Sequence, residues 1–352
     1  MKLFISLLIC GSCLFGCNDE DDQSKEPDTL QWKKLGLDGK SVNQMLVSGT
    51  TLYVATTTGM FKRELNNANA DFAVMGFAGK NVQAVEIINN DEILISLFDK
   101  SGGEEPALYK TNDDGINWLL VESNFGGDFP EPVFDFALNP GDESILLASG
   151  FGVVAKSLDG GLTWEPIYGE WGAFGTGVSV VTFNKNATEE IWAGGQGAIE
   201  NGFLIRSVNE TEWNEWTSLV ENPTVVKEIT FTPGNRDRIF VGWEGALLRT
   251  VNSGQTWQTL IESEENKFFF GICTDDENPD LIFAGGWIKT PEPQPLILMI
   301  SRTGGDSWEE FEFTGETYGG ILDMQIRHEE GKDVLYLGLD KGGIYEVTSS
   351  GF

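Results

Sequence analysis

Histidine is almost missing from this 352-residue chain: His328, in RHEEGKD, stands alone. One imidazole argues against a Ser-His-Asp triad and against a metal site built on histidines. Basic residues are scarce as well, 23 against 55 acidic ones, for a net charge of −32. A surface of that sign repels phosphate backbones and anionic headgroups, which excludes nucleic acid as a partner and reads as a solvated exterior. Of four cysteines, three fall in the first 17 residues, and only Cys273 lies beyond them, in the apolar run FFFGIC, where it reads as a small buried hydrophobe. No apolar run reaches the roughly 20 residues that a spanning helix needs.

The opening MKLFISLLICGSCLFGC has a lysine, an apolar run and a small residue before a cysteine, the pattern of a secretory signal. Cys10 follows the bulky Ile9, and Cys13 lacks an aliphatic residue three places upstream. Leu14-Phe15-Gly16-Cys17 resembles the bacterial lipobox, which implies cleavage before Cys17 and acylation of that residue. Residues 1–16 are then a signal peptide and 17–28 an acidic tether too polar to fold. The acid run after Cys17 resembles the surface-export signal of Bacteroidota lipoproteins. The expectation is a monomer anchored to the outer membrane through its acyl chains. With Cys17 acylated and only Cys273 remaining, no intramolecular disulfide can form, so the fold rests on its core.

What the chain has in plenty is repetition. Polar turns ending in tryptophan begin at Thr111 (TNDDGINW), Ser157 (SLDGGLTW), Thr250 (TVNSGQTW) and Ser301 (SRTGGDSW), with a degenerate SVNETEW at Ser207. They recur at intervals of roughly 45–50 residues, the period of a propeller blade. Before each turn lies an apolar run ending in small residues, such as ILLASGFG or IFVGWEG, and before that another, such as VFDFAL or VKEITF. Seven copies of this set predict an all-β, seven-bladed propeller of four-stranded blades over 29–352. The last copy lacks a fourth strand, while LQWKKLG at the start is a fourth strand with no predecessors. Pairing the two closes the ring and leaves no open edge.

Within the turn, Asp159 can accept amides of its own loop, Gly161 supplies a positive φ, and Trp164 opens the outer strand. Asp113, Gly115 and Trp118 repeat the set; Asn252, Gly254 and Trp257 do so with asparagine; Gly305 and Trp308 do so with Thr303 at the acidic position. These residues resemble the Asp-box, or BNR repeat, of sialidases, sortilin-type receptors, xyloglucan hydrolases and photosystem II assembly factors. The resemblance implies that the box is a structural lock, remote from the ligand face. Sialidases of this group bind their substrate with three arginines and an Arg-Ile-Pro motif. Arg-Ile-Pro is absent here, and Arg206, Arg249 and Arg302 lie beside the turns. The assembly factors present a basic patch, which the acidic balance does not match.

Function is then expected on the opposite face, where the insertions FDKSGGEEPALY, GGQGAIENGFL and GGWIKTPEPQPLI and the blade links gather. Seven tryptophans (Trp32, Trp118, Trp164, Trp213, Trp216, Trp257, Trp308) open fourth strands, and Trp192 joins Tyr53, Phe240, Phe283 and Tyr336 in a core column. Phe151, Trp171, Phe174, Trp243, Trp287 and Tyr318 remain as candidates for an aromatic rim that stacks on sugars or anchors a protein. Asp135, Glu228 and Asp323, with Gln44, form one column on the first strands. They read as polar lining of the central channel, or, in the alternative, as the carboxylates of a glycoside hydrolase acting on a polysaccharide. TNDDG and CTDDENPD look like calcium loops but lack the full ligand spacing, so no metal and no other cofactor is expected. The reading that follows is a non-catalytic envelope propeller binding a glycan or protein partner.

Overall fold

The computed structural model describes residues 29–352 apart from 100–104, 126, 170–175, 200, 222–223, 264–265, 330 and 350–351. The leader, Cys17 and the tether lie outside the described residues, as do Trp171 and Phe174. Those described hold 28 strands and no helix. The strands hydrogen-bond into seven separate four-stranded sheets, the blades of a β-propeller. Six blades take four consecutive strands each, while the seventh takes Ile321–Glu329, Lys332–Leu339 and Gly343–Thr348 and borrows Gln31–Gly36 as its outermost strand. In that pairing Trp32 sits opposite Val347, antiparallel, and its ring stacks on Phe313 of blade six at 5.0 Å. The ring closes as the unmatched ends of the sequence require.

Second strands such as Ile93–Leu97 and Ile239–Trp243 are buried along their whole length. Each is covered on both sheet faces by neighbouring blades, so its sequence runs apolar without alternation. The column Tyr53, Trp192, Phe240, Phe283 and Tyr336 is buried throughout. Tryptophans of the fourth strands pack onto it; Trp216 stacks on Trp192 with ring centroids 5.4 Å apart.

The polar turns show why they recur. Ser157 Oγ accepts the Gly161 amide at 2.8 Å and donates to Asp159 Oδ1, which in turn accepts the Leu162 and Thr163 amides at 3.1 and 2.9 Å. The Trp164 indole donates to the Gly161 carbonyl at 3.1 Å. Asp113 holds the Asn117 amide in the same way at 2.8 Å, Asn252 the Thr256 amide at 2.8 Å, and Thr303 the Ser307 amide at 2.9 Å. Asparagine and threonine therefore keep the acceptor the turn needs. Gly161 has φ +84°, and a Cβ there would lie 2.4 Å from Leu94 of the preceding blade. The turn thus locks one blade onto the next.

Candidate functional site

First strands line the channel, and six of the seven carry a β-bulge at the same point: Val42/Gln44, Val82/Ala84, Val178/Val180, Val226/Glu228, Phe268/Gly271 and Ile321/Asp323. A bulge re-aims the residue that follows it, here Gln44, Glu228 and Asp323 among others, with Asp135 opening the equivalent strand of blade three. These side chains reach sideways. Asp323 accepts the Met45 amide of blade one, Gln44 Oε1 accepts Val85 of blade two at 2.8 Å, and Asp135 Oδ2 accepts Val181 of blade four at 2.9 Å. Blade two has Ala84 in the column, and Glu86, two residues further along, takes over by accepting the Leu138 amide of blade three at 3.0 Å. Each group satisfies a backbone N–H on the inner edge of the next blade, an edge that no further strand covers.

The carboxylates are unusually proton-hungry. Burial pushes Asp135 and Asp323 up to about 7 against the hydrogen bonds they accept. Glu86 is pushed up to about 7 by burial and then by the charge of Asp135. Glu228 stands well above the ordinary range, through burial first and then Asp323 and Asp135. Both oxygens of Asp135 are occupied, Oδ1 by Gln44 Nε2 at 3.3 Å. Both oxygens of Asp323 are occupied by the amides of Met45 and Met324. Glu228 accepts only its neighbour's amide, from Ile229 at 3.2 Å, among the described residues.

On the face opposite the polar turns, two aromatic clusters flank the channel. Phe151 meets Phe134 at 4.9 Å and Phe98 at 6.2 Å, edge to face. Trp287 meets Phe268 at 5.8 Å and Phe270 at 6.1 Å, and its indole donates to Asp340 of blade seven at 3.0 Å. The loop beyond Trp287 is pinned by Gln294, which bonds both the amide and the carbonyl of Ile288, at 2.8 and 3.1 Å. Gln294 also forms a backbone bridge to Tyr318, a residue that is 37 % exposed and whose ring lies under Lys341. Beside Tyr318 opens a cleft of about 480 Å³ lined by Lys34, Asp38, Glu316 and Lys341. Phe129 and Ile199, in the blade-two link and the blade-four insertion, are 74 % and 84 % exposed.

Trp243 does not belong to this rim. Its ring is fully buried, against Gly202 of blade four, where a Cβ would come within 2.6 Å of the indole. It ends a second strand on that face, as expected, but second strands are covered on both sides, so its ring is packed inside rather than presented on the rim. Phe98, Phe134, Phe270 and Glu86 were not anticipated. Phe134 and Phe270 immediately precede the channel column in blades three and six, a signal present in the sequence once the bulge is known.

No family model matches the chain. Over 253 residues it is 24 % identical to the photosystem II assembly lipoprotein Ycf48 of Synechococcus sp. (strain CC9902), covering 66 % of each chain. Over 147 residues it is 24 % identical to the chloroplastic photosystem II stability/assembly factor HCF136 of Oryza sativa subsp. japonica, covering 40 % of this chain and 32 % of that one. The chain thus matches between about a third and two thirds of the length of these curated relatives. Among solved structures, a GH74 xyloglucanase of Xanthomonas campestris superposes with a TM-score of 0.64 at 13 % identity, over 92 % of this chain and 54 % of that one. A YCF48 bound to a D1 peptide superposes with a TM-score of 0.59 at 14 % identity, over 91 % and 94 %. At such identities the structural likeness is one of fold.

Proposed function

We propose that this chain is a non-catalytic docking propeller, held at the cell envelope through an acylated Cys17, that grips a protein partner on the face opposite the polar turns. The observation that carries this reading is the state of the channel carboxylates. A glycosidase works with two carboxyl groups free to act on one bond, whereas Asp135 and Asp323 spend both oxygens on hydrogen bonds and only Glu228 keeps one outside them. Their raised pKa values follow from burial first and from neighbouring carboxylates second, and need no substrate to explain them. A protein rather than a glycan is favoured by the sequence likeness to Ycf48 and by the YCF48 structure that holds a D1 peptide. The aromatic clusters supply rigid, partly exposed rings of the kind that dominate such contacts.

The test is capture from envelope extract by wild-type protein and by Trp287→Ala and Phe134→Ala, beside digestion and binding assays on a polysaccharide panel. The expected result is a captured protein whose affinity falls by ~1–3 kcal/mol in the variants. Polysaccharide turnover that Glu228→Gln removes would contradict the non-catalytic reading, and binding confined to a glycan would replace the protein partner with a sugar. Cys17→Ser should move the chain out of the membrane fraction; a variant that stays there ends the acyl-anchor part.

A further inference from the structure

On the polar-turn side, the loop between the first two strands of blade six faces the corresponding hairpin of blade seven. The first contributes Asp275, the second His328 and Asp333, which lie opposite each other across the hairpin. Asp275 is the first acid of CTDDENPD, which by itself lacks the donors of a cation loop. The neighbouring blade adds His328 and Asp333, and a histidine nitrogen and one oxygen from each of the two carboxylates all fall within 4.8 Å of one another.

Three further observations single this cluster out. Asp275 is 1 % exposed, and its Oδ1 accepts the Glu277 and Asn278 amides at 2.6 and 2.8 Å, but no lysine or arginine among the described residues pairs with it or with Asp333, since Arg327 and Lys332 are both engaged by Glu329. His328 Nδ1 lies 2.8 Å from Asp333 Oδ1, which fixes the ring and turns the other nitrogen toward Asp275. That nitrogen, Nε2, is buried and has no hydrogen-bond partner among the described residues. It stands 3.7 Å from Asp275 Oδ1. A shared proton would draw the two atoms to about 2.8 Å. Two ligand atoms on one zinc ion, each about 2.1 Å from it, stand roughly 3.4–3.8 Å apart.

We propose that Asp275 and His328 Nε2 bind a divalent metal ion of the zinc class, with Asp333 as the residue that orients the imidazole and water completing the shell. One nitrogen and carboxylate oxygen suit zinc better than calcium, which takes six or more oxygens. A carboxylate on the far nitrogen of a metal-bound imidazole is a common support that fixes the ring and raises its basicity. The ion would tie blade six to blade seven, next to the blade that the N-terminal strand completes.

The experiment is calorimetric titration of the metal-free full chain with zinc chloride and, separately, calcium chloride at pH 7.5, together with melting curves in each salt. The site predicts one zinc per chain, a higher Tm with zinc, and little response to calcium. His328→Gln should weaken zinc binding by at least tenfold and remove the Tm response, and Asp333→Asn should weaken it by 10- to 100-fold. Should His328→Gln prove unfolded by circular dichroism, Asp275→Asn takes its place with the same expected loss. Absence of zinc binding by the wild type, zinc affinity unchanged in the folded variants, or calcium binding that survives His328→Gln would each overturn the assignment.

Discussion

At Asp159 one carboxylate closes a turn that the sequence displays openly. Its oxygens take two amides and the Thr163 hydroxyl, at 2.6 Å. Although partial burial opposes it, these bonds hold the carboxyl below its ordinary pKa. Asp159→Ala should cost ~1–3 kcal/mol of stability by leaving amides of the turn unpaired, with partner binding unchanged at temperatures where the variant stays folded. Urea denaturation of the two proteins checks this; equal midpoints would mean the turn does not need its acceptor. Gly161→Ala should cost at least as much, because it adds a positive-φ penalty to the clash with Leu94. At this scale the sequence was legible wherever chemistry is local, as in the turn acceptors and the core column. It was silent on contacts between blades. Trp243 read as a rim residue because nothing local reports that Gly202 of another blade makes room for its ring. Glu86 was passed over because its partner, Leu138, belongs to the next blade.

Strands and loops divide in the same way. The count of apolar runs and the unmatched ends gave both the blade number and the closure, since an open propeller would leave an unpaired edge at first and last blades. The closing strand matters beyond its hydrogen bonds, for Trp32 also packs on Phe313 of blade six. Deleting residues 28–36 should therefore lower Tm by more than the single turn variants do, and a deletion that melts like the parent would contradict closure by exchange. The loops were legible in position and not in shape. Their lengths marked the face opposite the polar turns, but the clamp of Gln294 on Ile288 and the tie from Trp287 to Asp340 depend on backbone geometry that no spacing records.

For the molecule as a whole, burial of the channel acids sets a pH dependence whose sign can be worked out. Glu86, Asp135 and Asp323 have folded pKa values of about 7, above the ordinary carboxylate range, so the folded state holds more protons than the unfolded one through the interval between. Their contribution is fully present below the unfolded value and is lost as pH rises through about 7. Asp113 and Asp159 run the other way: their pKa values are lowered, and their contribution fades only in stronger acid. The net charge of −32 adds self-repulsion that grows as the acids ionise. Tm should accordingly peak in mildly acidic buffer and fall toward pH 8, with a shallower fall in Asp135→Asn/Asp323→Asn. A melting temperature that climbs steadily from pH 5 to pH 8 would show that the channel acids are ionised in the folded state at no cost.

The blade-to-blade bonds from blade seven round to blade four give the channel side chains a structural role, and the proposed recognition falls on the face opposite the polar turns. The most direct measurement places the photo-crosslinker p-benzoylphenylalanine at position 318, on the aromatic face, and at position 158, among the polar turns, in cells that make the full chain. Irradiation should yield a discrete protein adduct from position 318 and none from position 158. Adducts from position 158 alone, or from neither position, would contradict a protein partner gripped on the aromatic face.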